Sequence, residues 1–298
     1  MKKLQAILIA VVFALGAHAR SDISENENVG ASESSLISEL EFEAHSGDTE
    51  AMNYLGYLLM SGAEGIEKDA AAGLSWITKA ASLGDVKAAS NLGWLFIEGS
   101  LVEQDYSEGA RWLSKASQAG LPVAQSLLGD LYRDGKGVAP DSAKADSLYR
   151  EAFERGLADA GYKLFALHSG EYAEMTPTEL VETGKYYYLR GAPSEGVKLF
   201  YMASDAGDAD AMALLGDAYT RAMGVPYDYD LSLSYYVKAA KAGNPSAQFI
   251  LGELLEIFPD TLRKISESEG VPEDAEYWMK EAASAGVTDA EEAARRLF

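Results

Sequence analysis

The stretch LGDLYRDGKGVAPD, Leu128 to Asp141, sets Gly129, Gly135 and Gly137 beside Lys136 and the acids Asp130, Asp134 and Asp141. Glycines next to a lysine suggest a phosphate cradle, but the P-loop spacing requires four residues between its glycines and a serine or threonine after the lysine. Here five residues separate Gly129 from Gly135, Gly137 follows Lys136, and no strand-like run precedes the segment. The glycines therefore need another explanation, and the rest of the chain supplies it.

The stretch recurs. Leu55-Gly56, Leu92-Gly93 and Leu128-Gly129 stand 36 or 37 residues apart, Leu164 continues the series, and Leu215-Gly216 and Leu251-Gly252 resume it. An alanine stands four residues before each leucine: Ala51, Ala88, Ala124, Ala160, Ala211 and Ala247. A second set, Ala80, Ala116, Ala152, Ala203, Ala239 and Ala282, is preceded at the same distance by Trp76, Trp112, Leu148, Leu199, Tyr235 and Trp278. Spacing of i, i+4 marks one face of a helix, so each unit is a pair of helices, A then B. The small residues let helix axes approach, and the aromatic residue or leucine is expected to fill the wedge between them. Between them lies a glycine turn, then an apolar residue that plugs the loop, then an aspartate placed to cap helix B: Ile66 and Asp69, Val102 and Asp105, Val138 and Asp141, Val225 and Asp228.

This pattern, A-x-x-x-L-G followed by G-x-G-V-x-x-D and W/L-x-x-K-A-A-x-x-G, resembles the Sel-one-like repeat (SLR), a relative of the tetratricopeptide repeat, over about Leu40 to Phe298. The resemblance implies an all-α fold, an α/α superhelical solenoid of about six helix-hairpin repeats. It also implies a scaffold for protein–protein contacts, of a kind often exported or envelope-associated in bacteria. The glycines that end successive units, Gly47, Gly84, Gly120, Gly156, Gly207, Gly243 and Gly286, are separated by 37, 36, 36, 51, 36 and 43 residues. The step of 51 contains MTPTELVETGKYYYLRG, Met175 to Gly191, which predicts an extra helix near residues 176–190 after a linker at Ser169 to Thr176. The expected organisation is an N-terminal lobe over 40–170 and a C-terminal lobe over 171–298, with an enlarged turn from Phe258 to Pro272 and a terminal cap.

The chain opens MKKLQAILIAVVFALGAHARS, in which two lysines precede about a dozen apolar residues and a small-x-small site at Ala17 to Ala19. That is the form of a secretory signal peptide, residues 1–19, and the run is too short to span a bilayer. No later segment is long enough to span, so no integral membrane segment is expected after cleavage and the location is periplasmic or secreted. Residues 20–39 are acidic and polar and read as a disordered lead-in. Removing the leader leaves 23 basic against 47 acidic residues, net charge −24, which disfavours nucleic acid and anionic lipid as partners.

Chemistry is poorly provided for. The chain has no cysteine, which excludes thiolate metal sites, a cysteine nucleophile and a disulfide framework. His45 and His168 are the two histidines beyond the leader and lie far apart in sequence, which argues against zinc and against a Ser-His-Asp triad. An EF-hand reading of Asp228, Asp230 and Ser232 fails at the sixth and twelfth positions, Leu233 and Ala239, leaving only loose association of calcium with surface acids open. No enzyme, cofactor or metal is expected. In the related tetratricopeptide repeats a helix A position two after the leucine lines the concave groove. By alignment, the resemblance assigns that place to Tyr57, Trp94, Asp130, Ala166, Asp217 and Glu253. The aromatic start and acidic continuation suit another protein engaged through a basic segment, with Arg133 and Arg221 as local partners of the acids. Tyr186, Tyr187 and Tyr188 are secondary candidates, since consecutive helical residues point in three directions and one of them is expected to be exposed. Rival readings are a polysaccharide or cell-wall binding module or enzyme, and a secreted factor acting on a host.

Overall fold

A computed structural model describes residues 29–62, 67–257, 270, 272 and 274–297. The signal sequence, the lead-in as far as residue 28, the loop residue Ile66 and most of the turn from Phe258 to Pro272 lie outside the described residues. The described chain forms fifteen α-helices and no strand. They are α1 Val29–Ser46, α2 Thr49–Ser61, α3 Ala70–Ser82, α4 Val86–Glu98, α5 Tyr106–Gln118, α6 Pro122–Asp134, α7 Ser142–Glu154 and α8 Ala158–Leu167. A 3-10 turn at Tyr172–Glu174 precedes α9 Pro177–Leu189, α10 Pro193–Asp205, α11 Ala209–Arg221, α12 Tyr229–Lys241, α13 Pro245–Ile257, α14 Ala275–Ser284 and α15 Thr288–Leu297. Helices stack as consecutive hairpins, the α/α solenoid that the repeat implies. The chain divides into two compact units, Met1–Leu148 and Tyr149–Phe298. Helix is present from Val29, inside the stretch read as a disordered lead-in. Propagation costs little once a helix is nucleated, and the C-terminal end of α1 is anchored by Ala44, which is fully buried.

Small residues set the geometry. Every alanine of the two columns is at most 5% exposed, and Gly56, Gly93, Gly216 and Gly252, each after a leucine of the first column, sit where helix B comes close. A Cβ on Gly56 would lie 2.7 Å from the carbonyl oxygen of Gly73, and one on Gly73 would lie 2.5 Å from that of Gly56. Gly93 and Gly109 repeat the relation at 3.0 Å in both directions. In the second unit Gly184 and Gly196 repeat it at 3.1 and 2.6 Å, while Ser232 takes the helix B place opposite Gly216 and donates its hydroxyl to the Gly216 carbonyl at 2.8 Å.

The residue that fills the A–B wedge is the one after the tryptophan or leucine column, which corrects the sequence reading. Ile77, Leu113, Phe200, Tyr236 and Met279 each lie over the helix A glycine of their hairpin. The reason is register: these residues stand four after the small residue of helix B and so share its face. The Trp76 ring instead meets His45 of α1, with ring centres 5.0 Å apart. Trp112 is buried, and its indole N–H donates to Glu108 at 2.8 Å.

The caps follow the sequence pattern. Asp69, Asp105, Asp141 and Asp228 each accept a backbone N–H in the first turn of their helix B at 2.9–3.0 Å. Asp48, Asp85 and Asp208 do the same for helix A, a second set that the sequence pattern had not singled out. A helix stands where the 51-residue step placed one, α9, opened by a capping box of Thr176 and Glu179. Its packing gives it a regular role: through Gly184 and Gly196, α9 is the first helix of a hairpin with α10. The irregular element is α8 with the 3-10 turn that follows it.

Two glycine exchanges of opposite sign test this packing. Gly196→Ala gains about 1 kcal/mol of helix propensity, but its methyl would lie 2.6 Å from the Gly184 carbonyl and 2.8 Å from Tyr188 Cβ. It should lower the urea midpoint. Ala222 ends α11 in the left-handed conformation, φ 54, so Ala222→Gly should raise stability by about 1 kcal/mol. A stabilised Gly196→Ala would contradict the close A–B crossing.

Candidate protein-binding surface

Tyr57 lies near the end of α2 and Trp94 near the end of α4, both half-buried. They share the wall of a recess of about 240 Å³ with Met60, Ile77, Leu95 and Leu101. Neighbouring hairpins thus bring together two residues that stand 37 apart in the sequence. Beneath them the buried Asn91 donates to Asn53 at 3.1 Å, a polar tie between successive helices A. In a wall otherwise largely apolar, Ser61, Lys68, Asn91 and Ser100 are the polar members.

The acidic members of the column behave differently. Asp130 pairs with Arg133 at 3.3 Å. Asp217 lies 4.0 Å from Arg221 and accepts the Tyr236 hydroxyl at 2.7 Å. These arginines stand one turn further along, as the spacing anticipates, so both carboxylates are engaged within the chain and Asp217 also anchors a core tyrosine. Glu253 on α13 and Ala166 on α8 are exposed. Asp217 and Glu253 belong to the second unit, and Tyr57, Trp94 and Asp130 to the first.

The tyrosine triplet does not present a free ring. Tyr187 and Tyr188 are buried. Tyr186 is half-buried, edge-on to Phe153 at 5.4 Å and with the Arg190 guanidinium over its ring at 4.7 Å. The next residue, Leu189, is the one that faces solvent, 73% exposed. The triplet closes an aromatic cluster in which the Tyr172 and Tyr187 hydroxyls are 3.0 Å apart and Phe165 packs on both rings. A second cluster joins Tyr201, Tyr219 and Tyr235. Tyr219 and Tyr235 stack at 5.9 Å, and the Tyr201 and Tyr219 hydroxyls are hydrogen-bonded. Sequence reasoning missed this cluster because its members come from three helices. Among the described residues no three His, Asp or Glu side chains gather into a group that could hold a metal.

Burial, then the bond with Tyr172, pushes the Tyr187 phenol well above its ordinary value. Burial and the Tyr219 bond do the same for Tyr201, and burial and the Asp217 carboxylate for Tyr236. Between about pH 10, where an unfolded tyrosine ionises, and these raised values, the unfolded chain loses protons that the folded chain keeps. Stability should hold below about pH 10 and fall above it. Absorbance at 295 nm should then show one class of tyrosines ionising near pH 10 and another ionising only as helicity is lost. Titration of all tyrosines in a single step with helicity intact would contradict the clusters.

Comparison with known proteins bears on the whole chain. The sequence model of the Sel1 repeat matches residues 49–85, 86–121, 122–157, 181–208, 209–244 and 267–287. The match passes over α8 and the 3-10 turn and resumes in α9, consistent with the α9–α10 hairpin. Over 122 residues the chain is 32% identical to chitin synthase regulatory factor 4 of Schizosaccharomyces pombe, covering 40% of this chain and 17% of that protein. The chain thus spans less than a fifth of that curated relative's length. Among solved structures, it is 26% identical to a protective antigen of uropathogenic Escherichia coli displaying an SLR fold, with a TM-score of 0.41, covering 90% of this chain and 67% of that one. It is 34% identical to a Sel1 repeat protein from Oxalobacter formigenes, with a TM-score of 0.41, covering 43% of this chain and 96% of the other. With six repeats matched in sequence over more than half its length, and with hairpins that follow their period, the protein belongs to the Sel1 repeat family.

Proposed function

We propose that the protein is an exported, non-catalytic scaffold that binds another protein of the cell envelope or the extracellular space. Sel1 repeat proteins generally serve protein–protein interaction, and the pairing of Tyr57 with Trp94 over one recess supports a place for that role on this chain. Half-buried aromatic residues in a preformed recess supply binding energy at small cost in side-chain ordering. The excess of acidic residues supports a basic segment in the partner, since opposite charge steers encounter and raises the association rate more than the affinity. Among the described residues no helix is long and apolar enough to cross a membrane, and the apolar run before Ala19 supports export.

Export is tested by intact mass. Protein recovered from the periplasmic or extracellular fraction should begin at Arg20, and a full-length species held in the inner membrane would defeat the reading. Binding is tested by crosslinking in the native envelope followed by mass spectrometry, with wild type beside Trp94→Ala. The wild type should capture a defined protein, and Trp94→Ala, of unchanged helicity by circular dichroism, should capture at least tenfold less. No enrichment by the wild type over a non-crosslinked control would defeat the scaffold reading. Equal capture by both chains would move the contact to another face.

A further inference from the structure

The turn between helices A and B carries a glycine four residues before the aspartate that caps helix B. In the third hairpin it is Gly137, before Asp141, and in the hairpin of α11 and α12 it is Gly224, before Asp228. Both are left-handed, φ 70 and 79, and both are pressed against the start of the preceding helix B. A Cβ on Gly137 would lie 2.4 Å from the Tyr106 carbonyl oxygen and 2.5 Å from Ser107 N. One on Gly224 would lie 2.5 Å from the Pro193 carbonyl oxygen. The two turns also share a bond back into helix A, Lys136 N to Leu131 O at 3.1 Å and Met223 N to Ala218 O at 3.0 Å. At these hairpins the glycine closes the gap between one repeat and the last.

The second hairpin has Leu101 at that place, four residues before Asp105. An isobutyl group cannot enter a space too small for a methyl group. The turn takes another path, in which Ser100 N donates to the Glu98 carboxylate at 2.8 Å and Leu101 packs against the core of the unit. The recess holding Tyr57 and Trp94 is bordered by Ser100 and Leu101 on one side and by Lys68, just ahead of α3, on the other. It lies where a glycine would have brought the turn onto the start of helix B.

We propose that this recess receives one large apolar or aromatic side chain from a basic peptide segment of a partner protein. The inference rests on the scaffold reading above and names its contact. The wall offers aromatic and aliphatic surface, and about 240 Å³ is room for a single anchoring side chain rather than a helix. Exposed acids flank the mouth along the chain: Glu67 and Asp69 on either side of Lys68, and Glu103 and Asp105 after Leu101. Residues 29–148 hold 18 acidic against 8 basic side chains, so a segment that places its anchor here meets negative charge on both sides. Basic residues flanking the anchor complement that charge.

The test is selection of a displayed library of random dodecapeptides on the full mature chain, with affinities of enriched peptides measured by fluorescence polarisation. Enriched peptides should carry one Trp, Phe, Leu or Met with Lys or Arg on both sides. Leu101→Gly, which restores the closing glycine, should lower their affinity at least tenfold, as should Trp94→Ala or replacement of the peptide's anchor by Ala. Both protein variants are checked for helicity, and Leu101→Gly decides the matter if Trp94→Ala misfolds. Enrichment of peptides without this pattern, no enrichment at all, or unchanged affinity for Leu101→Gly would overturn the proposal. Crosslinked capture of a partner that Leu101→Gly leaves intact would keep the scaffold reading and remove the recess from it, whereas failure of wild-type capture would remove the scaffold reading itself.

Discussion

The two helices of a hairpin in this chain cross so closely that, in three hairpins, the carbonyl oxygen of each occupies the space a Cβ would take on the other. That approach is possible only with glycine at the crossing, and it costs helix propensity of about 1 kcal/mol at each such position. The cost is offset by burial: with the axes drawn together, a large side chain one turn along helix B lies directly over the helix A glycine. Ile77, Leu113, Phe200, Tyr236 and Met279 differ widely in size and chemistry, yet each uses the same contact. The crossing sets the geometry, and the residue over it is free to vary within the volume that remains.

Once the hairpin is formed, its neighbours follow by short-range contacts. Thr49 bonds to Asp85 across 36 positions at 3.2 Å and Asn244 to Asp210 across 34 at 2.6 Å, so residues at helix A starts tie successive hairpins together. A structure of this kind is stabilised by what each repeat makes with the next. An irregular repeat then has local consequences. The stretch between α8 and α9 replaces a second helix by a 3-10 turn, and the space around it is taken up by aromatic rings. Phe153 lies over Gly161 of α8 and also packs on Tyr186 and Tyr187 of α9.

Charge is distributed on a different principle from packing. Two of the three carboxylates in the column that the resemblance assigns to the groove have a cation nearby, Asp130 with Arg133 and Asp217 with Arg221, and at these exposures such pairs contribute little to stability. The acids that flank the recess are helix caps and loop residues instead. Asp69 and Asp105 are held by the amides they cap, so the sign of the potential there is tied to the fold itself.

The period of 36 residues, the identity of helices A and B, the buried alanine columns and the aspartate caps of helix B were all legible in the sequence, because each depends on spacing along a single helix or across a single turn. The helix over Pro177–Leu189 was legible for the same reason. Its pairing with α10 was not, since Gly184 and Gly196 stand 12 residues apart where the regular offset is 16 or 17, and only packing shows which helix has a partner. The shift of the wedge residue by one position, the engagement of Asp217 by Tyr236, the covering of Tyr186 beside its buried neighbours and the three-tyrosine cluster likewise depend on how helices rotate about their axes when they meet. Tyr57 and Trp94 could be placed in one column from the sequence, but a column is a direction and not a cavity. That they share a recess is decided by the stacking of neighbouring hairpins, which sets both rings beside the turn at Ser100 and Leu101 and beside Lys68 ahead of α3.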